Sequence, residues 1–198
     1  MHFYEPREGH RLPHDPFNAL VAPRPIGWVS SRSPDGRLNL APYSFFNAFC
    51  YTPPIIGFSS TSRKDSARNI EAGGEFVWNL VTRELLEPMN QTSTTGPVDE
   101  FAVAGLTPER SRVVGVPRVA ESPVAMECRL SQVVQLTAAD GTPTDAVVCF
   151  GEVVGVHIAE HLLVDGVVDT ALADPVLRGG GPTAYYTLGE RLDLRRPG

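Results

Sequence analysis

The sequence predicts a mainly β protein built around an antiparallel barrel or sandwich. Its 18 glycines and 18 prolines are spread evenly and separate short segments rich in β-branched and aromatic residues. Two of the turns, Pro34-Asp35-Gly36 and Asp140-Gly141, are hairpin signals flanked by such segments. The strand–helix alternation of a parallel α/β sheet is missing, which argues against a Rossmann domain. The predicted strands span 26–31, 37–42, 55–59, 75–80, 124–136 and 146–158, with a closing strand at 185–188.

The predicted helices are few and short, at 62–72, 82–91 and 98–104. The first begins at Ser62 and carries Asp65 three residues later, which is close to a capping box. This boundary places Arg63 and Lys64 in the first turn of the helix.

Length and composition indicate one globular domain over residues 1–198, with its core at about 23–189. The net charge of −6 and the lack of a basic tract argue against nucleic acid and anionic membranes as partners. The sequence contains no run of 18 apolar residues, so it predicts no membrane span. The charged segment 1–13 does not look like a secretory signal. Three cysteines without a C-x-x-C pair fit neither a disulfide framework nor a thiolate metal site. We therefore expect a cytoplasmic protein with reduced thiols and no metal.

Three eye-catching features have ordinary structural explanations. The glycine run 179–181 is neither a dinucleotide motif nor a P-loop, and it predicts a turn that also permits ligand contact. His157 and His161 form an H-x-x-E-H pattern, but the preceding residues are strand-like, which favours a strand-end histidine bonded to a neighbour over a zinc ligand. Cys50 lies in an aromatic stretch and is expected to be a buried core thiol.

The segment 59–69 indicates a phosphate site. Four consecutive hydroxyl residues, 59–62, precede Arg63 and Lys64 at the predicted start of a helix. Free N–H groups and the helix dipole favour an anion there, and the hydroxyls and cations complete a cradle for a phosphate monoester. A capped surface helix with solvated cations explains the same residues.

The segment 39–47 has the mixed chemistry of a ligand pocket. Pro42, Ser44 and Asn47 interrupt an aromatic run, as in a mostly apolar pocket with a few fixed polar groups. An edge strand with a bulge accounts for the pattern equally well.

Four stretches carry a wider resemblance, in order, from about Pro23 to Gly189. They are Arg-Pro-Ile-Gly-Trp-Val-Ser-Ser (24–31), Asn-Leu-Ala-Pro-Tyr-Ser-Phe-Phe-Asn (39–47), Lys-Asp-Ser-Ala-Arg-Asn-Ile (64–70) followed by Glu-Phe-Val-Trp-Asn-Leu (75–80), and Gly-Glu-Val-Val-Gly-Val-His-Ile (151–158) with Gly180, Gly181 and Tyr185 after it. Together these resemble the flavin reductase-like family of FMN-binding split β-barrels.

The resemblance implies an antiparallel split β-barrel of Greek-key connectivity with a few short peripheral helices. It also implies a homodimer with FMN at the subunit interface. Residues 28–31 and 43–47 would hold the isoalloxazine, and residues 59–64 would hold the phosphate. The implied cofactor-binding residues are Trp28, Val29, Ser30, Ser31, Tyr43, Ser44, Phe45, Asn47, Ser59, Ser60, Ser62, Arg63 and Lys64, with Asn79, Arg178 and Tyr185 reaching the flavin from either subunit.

The implied function is that of an NAD(P)H:flavin oxidoreductase that serves a second flavin, a monooxygenase or another redox partner. Hydride transfer to a flavin needs no side-chain acid or base, so we expect no catalytic residue. Backbone N–H groups near Ser30 and Ser31 are expected to stabilise negative charge on the reduced ring.

Two departures from the family pattern leave alternatives open. Ser66 stands where the family usually has threonine, which keeps the hydroxyl. Residues 24–30 are similar to a flavoredoxin-like branch rather than to reductases that begin with an Ala-Thr-Gly-Val-like strand. An electron-transfer flavoprotein without nicotinamide activity is therefore the alternative, and a barrel that binds another phosphorylated ligand, or none, is the third.

Overall fold

The computed structural model describes residues 1–94, 96 and 98–197. Its described part contains four α-helices, which are α1 (Phe17–Leu20), α2 (Asp65–Gly73), α3 (Leu86–Gln91) and α4 (Glu100–Val103). The strands there are β1 (Arg24–Pro25), β2 (Gly27–Arg32), β3 (Leu38–Tyr43), β4 (Phe46–Tyr51), β5 (Pro54–Ser60), β6 (Glu75–Asn79), β7 (Pro108–Glu109), β8 (Arg118–Val119), β9 (Val124–Thr137), β10 (Pro143–Ile158), β11 (Leu163–Val164), β12 (Val167–Val168), β13 (Leu177–Arg178) and β14 (Tyr185–Tyr186). Short 3₁₀ helices cover Pro6–Glu8 and Glu160–Leu162.

A seven-stranded sheet forms the body of the molecule, in the order β3-β2-β6-β9-β10-β5-β4, with every pair antiparallel. Its two edge strands, β3 and β4, are consecutive in the chain and joined by only Ser44 and Phe45. The sheet must therefore curl until its edges meet. Gly27 of β2, the strand next to β3, shows how closely β4 approaches this end of the sheet, because a Cβ there would lie 2.9 Å from Cδ2 of Phe46. The predicted mainly β, antiparallel split barrel is confirmed.

Both predicted hairpins are present. β2 pairs with β3 across the Pro34-Asp35-Gly36 turn, and β9 pairs with β10 across Asp140-Gly141. The glycine in each turn has a positive φ, 90° at Gly36 and 85° at Gly141, which this residue adopts without steric cost.

The apolar core has two main parts. One lies around Trp28, Leu40 and Phe101, where α3 and α4 cover one side of the barrel. The other fills the barrel around Phe58 and Phe76, and α2 adds Ala67 and Ile70 to it. Burial of its apolar face holds α2 on the barrel and fixes where its N-terminus lies.

Helix α2 begins at Asp65, so the predicted start at Ser62 is wrong. Lys64 is the N-cap residue, in extended conformation. The Ser62 carbonyl accepts hydrogen bonds from the Ser60 hydroxyl (2.6 Å) and the Lys64 N–H (2.8 Å). These local bonds compete with a helical turn. Arg63 and Lys64 therefore precede the first turn instead of lying in it.

The other two predicted helices are also shorter than expected. α3 starts at Leu86, and Pro88 in its first turn has no N–H to donate, which is tolerated only near a helix start. Upstream, Thr82 is tied to Pro175 in an isolated β-bridge. α4 starts after Asp99, whose side chain accepts from the Ala102 N–H at 3.2 Å.

Two further predictions are corrected. The strand at Tyr185–Tyr186 is two residues long and joins β13 and β1 in a separate three-stranded sheet, so it does not close the barrel. Cys50 is exposed, because nothing in the described chain covers the outer face of edge strand β4. Among the described residues, no helix is long and apolar enough to cross a membrane.

Candidate functional site

A cavity of about 290 Å³ opens at the start of helix α2, between that helix, strand β3 and the segment after α3. Four of the residues predicted to bind the cofactor line it. The lining consists of Asn39, Ala41, Tyr43, Ser62, Arg63, Lys64, Asp65, Ser66, Arg68, Thr92, Thr94, Gly96 and Glu100.

The N-terminus of α2 is not closed by its own N-cap residue. The Lys64 side chain makes no capping hydrogen bond, although the Lys64 carbonyl accepts from the Arg68 N–H at 3.0 Å. The N–H groups of the first turn, at Asp65, Ser66 and Ala67, precede any intrahelical acceptor. The Asp65 carboxylate is engaged by Arg68. As far as the described residues go, the helix start therefore presents free donors and a positive dipole end.

The three cations beside this helix differ in how they are engaged. Arg63 bonds to Glu71, which raises the pKa of the Arg63 guanidinium. Arg68 bonds to Asp65 and also donates to the Arg63 carbonyl at 2.7 Å. None of the salt bridges found within the described residues involves Lys64. Lys64 is thus the cation available to a ligand.

A hydrogen-bonded network of amide and hydroxyl side chains lies next to the cavity. The Ser31 Oγ accepts from Nδ2 of Asn39 (3.3 Å) and of Asn69 (3.2 Å), and the Asn39 amide also donates to Ser66 Oγ at 2.8 Å. Burial raises the pKa of Tyr43, and hydrogen bonds with Ser66 and Ser60 act against that rise. The network ties β2 and β3 to the first turns of α2.

Sequence reasoning identified Ser31 and Tyr43 in this network but did not select Asn39, Ser66 or Asn69 as site residues. All three are short amide or hydroxyl side chains inside the quoted motifs. That chemistry was the available signal, but the sequence does not show that they converge. Ser59 and Ser60 are the last two residues of strand β5, and neither lines the cavity. The Ser60 hydroxyl donates to the Ser62 carbonyl.

A second group of predicted residues lies inside the folded chain. Trp28, Val29 and Ser30 are fully buried, and the Ser30 hydroxyl donates to the Pro117 carbonyl at 2.6 Å. Asn79 is equally buried, donating to the Trp28 carbonyl (3.2 Å) and accepting from the Val119 N–H (2.8 Å). β2 lies between β3 and β6, so its backbone groups belong to the sheet. None of these side chains lines the cavity.

Ser44 and Phe45 link β3 to β4, and Asn47 is the second residue of β4. Phe45 is 41% exposed and Asn47 is exposed, with its Oδ1 accepting from the Ala48 N–H at 2.8 Å. The Ser44 carbonyl accepts from Nε of Arg24 at 3.0 Å. Arg24 is buried and also donates to the Gly179 carbonyl at 3.1 Å, so it fixes the turn against the glycine run.

Arg178 and Tyr185 lie in the small sheet and do not line the cavity. The Arg178 guanidinium donates to the carbonyls of Gly181 (2.9 Å), Pro182 (2.7 Å) and Ala184 (2.7 Å). It also lies 4.7 Å from the Tyr185 ring centroid. Within one chain, Arg178 orders the loop that follows the glycine run.

His157 is a strand-end residue bonded to a neighbour, as predicted, because it lies in β10 with Nε2 2.6 Å from Oε1 of Glu127. The Glu127 carboxylate is buried and also accepts from the N–H groups of Arg112 (2.7 Å), Val113 (2.6 Å) and Val114 (2.8 Å). Burial raises the pKa of Glu127, but the four hydrogen bonds outweigh it and lower the pKa to about 2.

Comparison with known proteins gives the fold a family. Residues 20–174 match the flavin reductase like domain. The structure of nitrilotriacetate monooxygenase component B from Bacillus cereus is 34% identical over 98% of each chain, with a TM-score of 0.88. That of the 2-nitrobenzoate 2-nitroreductase of Pseudomonas fluorescens is 30% identical over 91% of this chain and 88% of its own (TM-score 0.81), and that of flavoredoxin from Desulfovibrio vulgaris is 27% identical over 87% and 91% (TM-score 0.77). The chain belongs to the flavin reductase-like family.

Proposed function

We propose that this protein binds FMN and acts as an NAD(P)H:flavin oxidoreductase, working as a homodimer. The observation that carries the proposal is the open N-terminus of α2 beside Lys64. Flavin chemistry fits the family, and the phosphate is the part of FMN for which this cavity has matching donors.

The cavity's chemistry suits a phosphate monoester. Such a group carries a charge of about −1.5 to −2 at neutral pH and accepts several hydrogen bonds. The first-turn N–H groups, the Ser62 hydroxyl and the Lys64 ammonium supply donors and positive charge. The two acids in the lining repel an anion less than free carboxylates would. Asp65 is paired with Arg68, and burial raises the pKa of Glu100. The donor set therefore fits the phosphate of FMN.

Six of the other predicted residues have two distinct roles in this proposal. Trp28, Val29, Ser30 and Asn79 shape the barrel that carries the site. Phe45 and Asn47 are exposed beside it and remain available to a flavin held between two subunits. When bound, FMN would supply the hydride acceptor and the electron relay, and no side-chain acid or base is required of the protein.

The outer surface of β4 supports the homodimer. This edge strand is almost entirely exposed yet reads Phe-Asn-Ala-Phe-Cys-Tyr, with Tyr51 95% exposed. A bare apolar edge strand favours association with another chain, and a second copy is the partner proposed. Light scattering after gel filtration is expected to give twice the monomer mass, and Phe49→Glu is expected to shift it toward the monomer.

The names of the similar structures support an oxidoreductase, since they include a monooxygenase component and a nitroreductase. The similarity to flavoredoxin keeps the electron-transfer flavoprotein as the second candidate. The two functions differ in whether a nicotinamide delivers the electrons.

Visible absorption spectroscopy separates the candidates. The purified protein, loaded with FMN, is titrated anaerobically with NADH and then with NADPH. Bleaching of the flavin bands by either nucleotide is the expected result and identifies the donor. Bands that persist with both nucleotides indicate the electron carrier. A protein that stays colourless after FMN is added contradicts both.

A further inference from the structure

A second cavity, of about 520 Å³, lies at the far end of the β9–β10 hairpin and shares no lining residue with the cavity at α2. It is bounded by the start of β9, the end of β10 and the segment around β8. Four basic side chains line it, those of Arg112, Arg118, His157 and His161. The family resemblance and the proposed flavin site leave this cavity without a role.

The arginine side chains around this cavity have N–H groups without hydrogen-bond partners in the described part of the chain, whereas the nearby carboxylates already accept hydrogen bonds. Arg118 is only 17% exposed and uses Nη2 on Glu109, but its buried Nε has no hydrogen-bond partner in the described part of the chain. Nη1 of the same guanidinium makes no hydrogen bond among the described residues and is not buried, so it is the donor that remains for an oxyanion in the cavity. The Arg112 side chain is exposed, while its backbone N–H is held by Glu127.

The carboxylates near the cavity are already used by the protein. Glu127 accepts three backbone N–H groups and bonds to His157. Glu121, which lines the cavity, accepts from the Thr107 N–H with both oxygens, at 3.1 and 3.2 Å. Glu109 is paired with Arg118. Free hydrogen-bonding capacity at this site is therefore mainly that of donors, which selects an anion.

Part of the lining is apolar. Val156 and Ile158 are 54% and 38% exposed at the end of β10, and Pro123 lies beside them. The volume is within the range of small-molecule pockets, and a few polar groups facing apolar side chains are typical of such sites. Inorganic phosphate would leave this apolar surface uncovered.

We infer that this cavity is a binding site for a small organic carboxylate, with the carboxylate on Arg118 and Arg112 and the apolar body on Val156, Ile158 and Pro123. The site is separate from the proposed flavin cavity. Benzoate is the simplest probe of this class.

Isothermal titration calorimetry with benzoate tests the site on the full-length protein, with and without saturating FMN. Saturable binding that FMN leaves unchanged is expected. Arg112→Ala and Arg118→Gln are each expected to weaken it about tenfold, because each removes a charge-assisted hydrogen bond to the carboxylate. Arg129→Ala, an exposed arginine on β9 outside the cavity, is the matched control and should bind as the wild type does.

Arg112→Ala retains the backbone N–H that Glu127 uses, so it decides the test if Arg118→Gln fails to fold. Unchanged affinity in Arg112→Ala overturns the inference. Loss of benzoate binding in the presence of FMN also overturns it, because the probe then occupies the flavin cavity. Inorganic phosphate that binds as tightly as benzoate contradicts the organic carboxylate.

Discussion

Two places in this molecule gather backbone N–H groups, and they differ in whether the chain itself supplies an anion to accept from them. At the loop before β8, the N–H groups of Arg112, Val113 and Val114 point at the buried carboxylate of Glu127, which the chain itself provides. At the start of α2, the first-turn N–H groups meet no capping side chain from Lys64. We call the three N–H groups around Glu127 the filled array, because the protein supplies their acceptor. We call the first-turn N–H groups of α2 the open array.

The difference separates a structural role from a binding role. A filled array stabilises the fold, because burying unpaired donors would be costly. An open array beside an available cation leaves its donors to water or to a ligand, at some cost in stability. The same backbone chemistry therefore gives a structural joint in one place and a candidate cofactor site in the other.

The largest expected effect comes from emptying the filled array. Glu127→Ala leaves three backbone N–H groups, one buried and two partly buried, and His157 without their acceptor, and should lower the free energy of unfolding by about 3–5 kcal/mol. Urea denaturation followed by circular dichroism measures it. Glu152→Ala, at an exposed position on β10, is the control and should change stability little. Equal losses in the free energy of unfolding for the two variants would show that the Glu127 hydrogen bonds contribute no more to stability than an exposed carboxylate does.

The same carboxylate predicts a pH dependence. Because the pKa of Glu127 is lowered from 4.5 to about 2 in the folded protein, its stabilising contribution is complete above pH 4.5. It is lost as the pH falls from about 4.5 to about 2, by roughly 3 kcal/mol in total. The Glu127→Gln variant should lack this part of the acid dependence, and denaturation curves at several pH values compare the two.

A capping side chain at the open array should stabilise the fold and weaken ligand binding. Lys64→Asp places a capping carboxylate at the start of α2, which should stabilise the protein by about 1 kcal/mol. The same carboxylate would occupy the donors and repel a phosphate, so FMN affinity should fall by about a hundredfold or more. Thermal denaturation and fluorescence titration with FMN measure the two changes. Retained FMN affinity in this variant would argue against phosphate at α2.

The two cations that precede α2 should differ in effect. Lys64→Ala removes the available ammonium and should weaken FMN binding about tenfold, more at low salt than at high salt. Arg63→Ala should have a smaller effect, because the Arg63 guanidinium is held by Glu71. Fluorescence titrations at two salt concentrations compare them, with Arg129→Ala as the control for lost surface charge. The reverse order would mean that Arg63 leaves Glu71 to bind the ligand.

The smallest expected effect is at the edge of the filled array. His157→Ala removes one of the four hydrogen bonds to Glu127 and should cost about 1 kcal/mol in stability, measured by urea denaturation. His161→Ala, an exposed histidine nearby, provides the baseline. A loss as large as that of Glu127→Ala would mean that the His157 hydrogen bond, and not the backbone donors, holds the carboxylate.

The sequence predicted the barrel well because its hairpins are specified locally. Pro34-Asp35-Gly36 and Asp140-Gly141 set two turns whose flanking segments pair as expected. The start of α2 was placed three residues early, because the competing bonds to the Ser62 carbonyl depend on where Ser60 and Lys64 lie. The exposure of Cys50 was missed since burial on an edge strand depends on tertiary neighbours.

The sequence located the segments of the candidate site better than its side chains. Residues 59–64 do lead into a cavity, but Trp28, Ser30 and Asn79 are buried inside the chain and do not line it. The Asn39–Ser66 bond and the loop around Glu127 join residues that are far apart in the chain. No local pattern reports such contacts.

The most direct test of the open array compares two ligands that differ only in the phosphate. Fluorescence titration should show that FMN binds at least a hundredfold more tightly than riboflavin, and that Lys64→Asp removes most of this preference. Equal affinity for FMN and riboflavin would contradict the central claim, because the start of α2 would then contribute nothing to holding the cofactor.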